Sequence, residues 1–345
     1  MKAVVLEGKE KLVLRDLPMP ECGDEEVIIR LEACGICRTD MKCFYTGQRD
    51  LKLPRILGHE ISGTVFAIGK KAAGVTLGSR VQVSPGLSCG SCRFCRQGRD
   101  NMCDYLEIMG FNYDGGFAQY LRIPARGVKN GVLHEIPGGL SFVEASMTEP
   151  LACCVNMQES LGITCGEAVL VVGGGRLGIL TAKLARLRGA GKVILLEQNA
   201  KRRALAAQHE IDYCLNPADS GVWEEILKIT GGRGVDVAIP CCPGPAAVNI
   251  SLQLLAKRGR FGFFSGLMHE EALTVDLNLI HYKEITAIGG YGCSLEHNRK
   301  ALRLLGSGVV KVKEMITREI MLQEVEEGIY MVKDLAELSV VVLFS

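Results

Sequence analysis

Five apolar residues in a row, Ala168-Val169-Leu170-Val171-Val172, lead straight into Gly173-Gly174-Gly175-Arg176-Leu177-Gly178. An uninterrupted apolar run has no polar face to turn toward water, so it reads as a strand buried on both sides, as in a parallel sheet. The glycines match G-x-G-x-x-G and open an amphipathic stretch from Leu177 to Arg188. Glu197 closes the next apolar run about 20 residues on, where the ribose-binding acid of a dinucleotide site belongs. Gly173 permits the tight turn, Gly175 lets backbone approach a pyrophosphate, and Gly178 lets the helix pack on the sheet; Arg176 and Leu177 begin a helix whose free N–H groups favour phosphate. A carboxylate at Glu197 accepts hydrogen bonds from both ribose hydroxyls and repels a 2′-phosphate, which favours NAD(H) over NADP. Lys201, Arg202 and Arg203 just downstream pull the other way. The bland alternative is a turn-forming glycine cluster beside a solvated acid.

The alternation continues after that loop. Strands are expected at Lys192–Glu197, Tyr213–Leu215, Val235–Pro240, Arg260–Ser265 and Glu284–Ile288, with helices at Lys201–His209 and Trp223–Ile229. Strand alternating with helix implies a doubly wound parallel sheet. The first ~145 residues read differently: short β-type runs such as Val27–Leu31, Ile61–Ile68 and Arg80–Val83, punctuated by glycine and proline, with no long helix. The last ~55 residues hold one amphipathic helix, Leu295–Leu305, and β-type segments ending in Leu338–Phe344, too few for a third domain and expected to return to the first. A length of 345 residues fits two domains at ~150 residues each.

Composition removes several classes of function. Lys and Arg number 40 against 39 Asp and Glu, so a net charge of +1 gives no global pull toward nucleic acid or anionic membrane. No run approaches the ~18 apolar residues of a membrane helix. Met1-Lys2-Ala3-Val4-Val5-Leu6-Glu7 reaches an acid too early for a signal peptide, so a cytoplasmic protein is expected. Fifteen cysteines, an odd number without an export signal, point to reduced thiols, some of them metal ligands. Cys89-x2-Cys92-x2-Cys95-x7-Cys103 is the clearest such set: four thiolates wrap a tetrahedral Zn²⁺ and leave no open position, which makes the site structural. Its Gly- and Arg-rich surroundings bury no core alone, so the ion supplies folding energy. A disulfide pair or an iron–sulfur cluster are the alternatives.

Gly35-Ile36-Cys37-Arg38-Thr39-Asp40, Gly58-His59-Glu60 and Glu149-Pro150-Leu151 stand apart from that lobe. Singly, each has a bland reading: a core thiol, a packed imidazole, a charge at a helix start. Together with the cysteine lobe and the glycine loop, the chain resembles, over essentially its whole length, the zinc-dependent medium-chain dehydrogenase/reductase family. Gly58-His59-Glu60 with Glu149-Pro150-Leu151 is most similar to the branch containing sorbitol dehydrogenase and L-threonine 3-dehydrogenase; in the alcohol dehydrogenase branch a cysteine sits where Glu149 falls. The resemblance implies a GroES-like, mostly β catalytic domain (1–149 and 289–345, with the structural zinc lobe at about 86–110) and a Rossmann NAD-binding domain (150–288).

It further implies two Zn²⁺ per chain. The catalytic one is held by Cys37, His59 and Glu149, with water, substrate or Glu60 in the fourth place, an open ligand set suited to catalysis. Asp40 then accepts the other N–H of His59 and fixes its tautomer. Cys153, one helical turn beyond Glu149, is a rival ligand or a core thiol. The implied reaction is hydride transfer between NAD and a secondary alcohol (a polyol, polyol phosphate or amino alcohol), giving the ketone, with Thr39 as a proton relay or a packed hydroxyl and Arg38 on the cofactor pyrophosphate or solvated. Three departures stand out: Lys42 replaces the family's relay histidine, Gly289-Gly290-Tyr291-Gly292-Cys293 lacks the sorbitol-type arginine, and Arg176 stands where proline is common. Lys42, Arg38 and Arg49 suit an anionic substrate. Competing readings are a primary-alcohol or aldehyde-type enzyme, and a non-catalytic zinc- and NAD-binding regulatory protein. The expected partners are a small-molecule alcohol and further copies of the chain, as a homodimer or homotetramer, with neither nucleic acid nor membrane.

Overall fold

The computed structural model describes residues 1–266 and 273–344. Among them no helix is long and apolar enough to cross a membrane. The chain divides into two compact units, Met1–Ala152 with Cys293–Ser345, and Cys153–Gly292.

The first unit is built on one extended sheet. Its strands follow the order Leu133–Glu135, Arg80–Val83, Glu60–Ile68, Val27–Ile36, Val340–Leu343 and Arg318–Met321, with Tyr120–Ile123 also paired to Val27–Ile36. The central strand Val27–Ile36 buries all but Arg30 and Glu32, and two register shifts against Glu60–Ile68 bend it. Val340–Leu343 adds antiparallel to its far end, so the C-terminal segment does return to the first sheet. A smaller sheet joins Lys2–Gly8 to Lys11–Asp16 and Arg55–Ile56. As the sequence suggests, no described helix before residue 148 exceeds eight residues. The helix Val325–Lys333, which the sequence reading passed over, packs on this sheet through Val325, Ile329 and Val332.

The second unit is a six-stranded parallel sheet, in the order Tyr213–Leu215, Lys192–Leu196, Ala168–Val172, Val235–Pro240, Leu255–Phe263, Thr286–Gly289. Counted along the chain this is 3-2-1-4-5-6, the dinucleotide-binding order whose switch point lies between strands 1 and 4. Ala168–Val172 is buried at every position. Its alternate residues Ala168, Leu170 and Val172 share a core with Ile194, Leu196, Ile226, Val248 and Leu252. Val169 and Val171 point to the opposite face and are equally buried. Burying each valine or leucine of the run contributes about 1.5–3 kcal/mol, which is why the run carries no polar residue. The helix Pro245–Leu254 was not foreseen, and the fifth strand begins at Leu255 rather than Arg260.

Candidate active site

Cys37 sits where Val27–Ile36 gives way to the helix Arg38–Tyr45, at the N-cap. Asp40, three residues on, accepts a hydrogen bond from the Cys37 backbone N–H at 2.8 Å (Oδ2). Its other oxygen accepts from Gly58 N–H at 3.2 Å and stands 3.4 Å from His59 Nδ1. Asp40 is fully buried. One carboxylate therefore ties the Cys37 turn to the Gly58–His59 turn. The Cys37 thiol meets Thr39 Oγ1 at 3.6 Å.

Glu60 is also fully buried. It pairs in register with Gly35, and a Cβ on Gly35 would lie 2.0 Å from Glu60 Oε2. Glycine at 35 is thus the space in which the carboxylate lies. The result is that Cys37 Sγ, a His59 nitrogen and a Glu60 oxygen all lie within 4.8 Å of one another. Burial pushes the His59 imidazolium down, but the charge and hydrogen bond of Asp40 and the Cys37 sulfur outweigh it and hold the imidazole well above its ordinary value. A field that favours a proton there favours a divalent cation, and thiolate, imidazole and carboxylate are the donor types a catalytic zinc takes.

Glu149 lies in the first turn of the helix Thr148–Leu161 and is 9 % exposed. The structure groups it with Cys293, whose Sγ is 3.9 Å from Glu149 Oε1, and with Cys153, one turn along its own helix. Nothing local in the sequence marks Cys293, a lone cysteine after glycines, as a neighbour of residue 149. Arg38 is exposed. Arg49 is exposed and paired with Asp50 at 3.1 Å.

The four-cysteine lobe gathers Cys89, Cys92, Cys95 and Cys103, their sulfurs all within 4.8 Å. Cys92 to Cys95 is 3.5 Å and Cys89 to Cys95 is 3.9 Å. With Zn–S near 2.3 Å, a tetrahedron has S···S edges of ~3.8 Å, so the sulfurs already bracket the required spacing. No disulfide forms among the fifteen cysteines. Backbone N–H groups of Ser91 and Cys92 point at Cys89 Sγ and pull its thiol down to about 6, which favours the thiolate a metal needs.

In the second unit, Gly173 takes a φ of 111°, and Gly175 caps the helix Arg176–Leu187. A Cβ on Gly178 would lie 1.8 Å from Gly173 O, so only glycine allows that turn. Glu197 follows the second strand and accepts from Gly174 N–H at 2.7 Å and Asn199 N–H at 2.8 Å, which fixes its carboxylate against the loop. The Arg202 guanidinium lies over Gly175: a Cβ there would be 3.2 Å from Nη1.

Comparison with known proteins agrees with this geometry. Residues 23–134 match the alcohol dehydrogenase GroES-like domain, and residues 177–307 match the zinc-binding dehydrogenase domain. An L-threonine 3-dehydrogenase from Bacillus velezensis is 31 % identical over 335 residues, covering 95 % of this chain and 94 % of the relative. The chain belongs to the zinc-dependent medium-chain dehydrogenase/reductase family, in its sorbitol and threonine dehydrogenase-like branch. A sorbitol dehydrogenase from Bacillus subtilis is 29 % identical over 95 % of this medium-chain enzyme and 92 % of its own length. A zinc-binding dehydrogenase from Sinorhizobium meliloti 1021, solved with NADP bound, superposes with a TM-score of 0.92 at 33 % identity, covering 99 % of both chains. Membership makes the protein a zinc- and NAD(P)-dependent oxidoreductase of the alcohol and polyol dehydrogenase type, acting on secondary alcohols.

Proposed function

We propose that this enzyme interconverts a polyol, polyol phosphate or amino alcohol and its ketone with NAD(H), and that Cys37, His59 and Glu149 hold the catalytic ion with Glu60 beside them. The observation that carries the reading is the Cys37–His59–Glu60 cluster, half-buried at Cys37 and buried at the other two, with Asp40 bracing both turns that supply it. A zinc ion bound there supplies Lewis-acid stabilisation of negative charge on the substrate oxygen. Asp40 keeps the His59 proton on Nδ1, so the opposite nitrogen stays a lone-pair donor. Thr39, in contact with the Cys37 sulfur, carries the hydroxyl that takes the alcohol proton outward, and Lys42, half-buried in the same helix, stands where the family places its relay base. Glu60 offers a further oxygen to the ion.

In the second unit, Gly173, Gly175 and Gly178 open the backbone at the N-terminus of Arg176–Leu187 for the pyrophosphate, with Arg176 and Leu177 supplying the first free N–H groups. Glu197 is already oriented by two backbone donors and takes the ribose hydroxyls, which favours NAD; Arg202, beside Gly175, adds positive charge for the phosphates. The protein acts in the cytoplasm as a homodimer or homotetramer. The exposed edge strand Thr286–Gly289 and the exposed Leu277 and Tyr282 support self-association.

The test is reduction of NAD and NADP followed at 340 nm with polyols, phosphorylated polyols and threonine, alongside metal content of Glu149→Ala. The expected result is turnover of a secondary alcohol with higher kcat/KM for NAD, and loss of one zinc equivalent in the variant. Turnover of primary alcohols alone overturns the substrate class, preference for NADP overturns the role of Glu197, and an unchanged metal content overturns the ligand role of Glu149. Light scattering of the purified protein reads the oligomeric state, and a monomer overturns that part.

A further inference from the structure

Cys293 closes the glycine tract and immediately precedes Ser294, the N-cap of the helix Leu295–Gly306. Its Sγ lies 3.9 Å from Glu149 Oε1 and 4.0 Å from the Glu149 main-chain oxygen. Asn298, one turn into the helix and 1 % exposed, donates its Nδ2 to the same sulfur at 3.2 Å and to Ser294 O at 3.0 Å. The sulfur thus accepts a hydrogen bond on one side and turns its own proton toward Glu149 on the other. The start of this helix is braced in turn by the four-cysteine lobe. Leu295 N–H points at both carboxylate oxygens of Asp100, at 3.3 and 3.1 Å, and Asp100 lies between Cys95 and Cys103.

We infer that Cys293 is a positioning residue: its thiol, oriented by Asn298 and anchored through Asp100 to the cysteine lobe, fixes the Glu149 carboxylate in the orientation from which it ligates the catalytic ion. The inference rests on the reading of Glu149 as a ligand. Ligating carboxylates depend on the groups that hydrogen-bond to them, because a restrained carboxylate keeps one oxygen aimed at the ion. It also gives the cysteine lobe a purpose beyond its own folding. The lobe anchors the helix corner that orients a ligand distant from it in sequence.

The experiment uses the full-length protein with zinc in the cysteine lobe and cobalt(II) at the exchangeable site. Metal affinity is read by competition with a chelator, and coordination by the cobalt d–d bands and the thiolate-to-cobalt charge-transfer band. Cys293→Ala is expected to weaken affinity about 10-fold, at the low end of such partner effects, and to move the d–d bands with charge-transfer intensity unchanged. Cys293→Ser, which restores a donor hydroxyl, is expected to recover most of that loss, a rescue that mere packing does not produce. If Cys293→Ala binds as wild type while Glu149→Ala loses the ion, the positioning role is wrong and the ligand reading stands. If Glu149→Ala binds as wild type, the ligand reading itself fails. If charge-transfer intensity falls in both Cys293 variants, the thiol is a ligand, and the positioning role is overturned in its favour.

Discussion

The two donor clusters of the first unit are built in opposite ways. Cys89, Cys92, Cys95 and Cys103 come from one short stretch, and its backbone N–H groups already stabilise the sulfurs. Cys37, His59 and Glu60 come from two turns brought together by strand pairing, opposite Gly35, and by the buried Asp40. A closed set of four thiolates stabilises its own lobe and excludes substrate. A set of thiolate, imidazole and carboxylate depends on the surrounding sheet for its shape, and on the proposed reading the ion it holds would contribute chemistry rather than folding.

Removing one ligand from each cluster gives the largest separation. Cys95→Ser is expected to release one zinc equivalent and lower the melting midpoint by on the order of 10 °C, since structural thiolate sites carry much of their segment's folding energy. Cys37→Ser is expected to release the other equivalent and cost roughly 1000-fold or more in kcat/KM, with a midpoint shift under about 3 °C. Metal analysis with calorimetry reads both, and equal midpoint shifts break the contrast. Asp40→Asn keeps an acceptor for Cys37 N–H but removes the charge facing His59. Both zinc affinity at that site and kcat/KM are expected to fall about 10–100-fold, measured by chelator competition and steady-state kinetics. Wild-type values would mean that the two turns hold themselves.

Two buried histidines sharpen the comparison. The Asp40 carboxylate holds His59 up against burial, whereas burial, with a smaller push from Arg299, brings His134 down to about 4. His134 instead meets Ser84 Oγ at 2.7 Å. A folded value below the unfolded 6.5 means its contribution is present above pH 6.5 and is lost as pH falls toward 4. At about 1.4 kcal/mol per unit, the loss is about 2–4 kcal/mol. His134→Gln is expected to flatten that part of the acid limb in urea melts at pH 7.5 and 4.5; an unchanged slope assigns the limb to other groups. The smallest effect is expected for Gly35→Ala, about 1–3 kcal/mol in a urea melt, as the new methyl displaces Glu60. An ion affinity that does not change alongside it would separate Glu60 from the site.

Much of this was legible beforehand, for different reasons. The buried strand, the glycine turn and Glu197 lie close together in sequence, so spacing alone sets their geometry. The alternation of strand and helix likewise marks the parallel sheet. The helix Thr148–Leu161 was harder, because Leu151, Ala152, Cys154, Val155 and Met157 are all buried or nearly so and leave no clean amphipathic period. The contact of Cys293 with Glu149 spans 144 residues, and no local pattern encodes it.

The sequence by itself determined the cysteine lobe, the glycine loop and the fold class, because short spacings and hydrophobic period follow from backbone geometry. Only the tertiary structure decided that Asp40 braces two turns, that Gly35 makes room for Glu60, and that Cys293 meets Glu149. Those relations depend on strand register and buried hydrogen bonds between distant segments, which exist only once the core has closed around them.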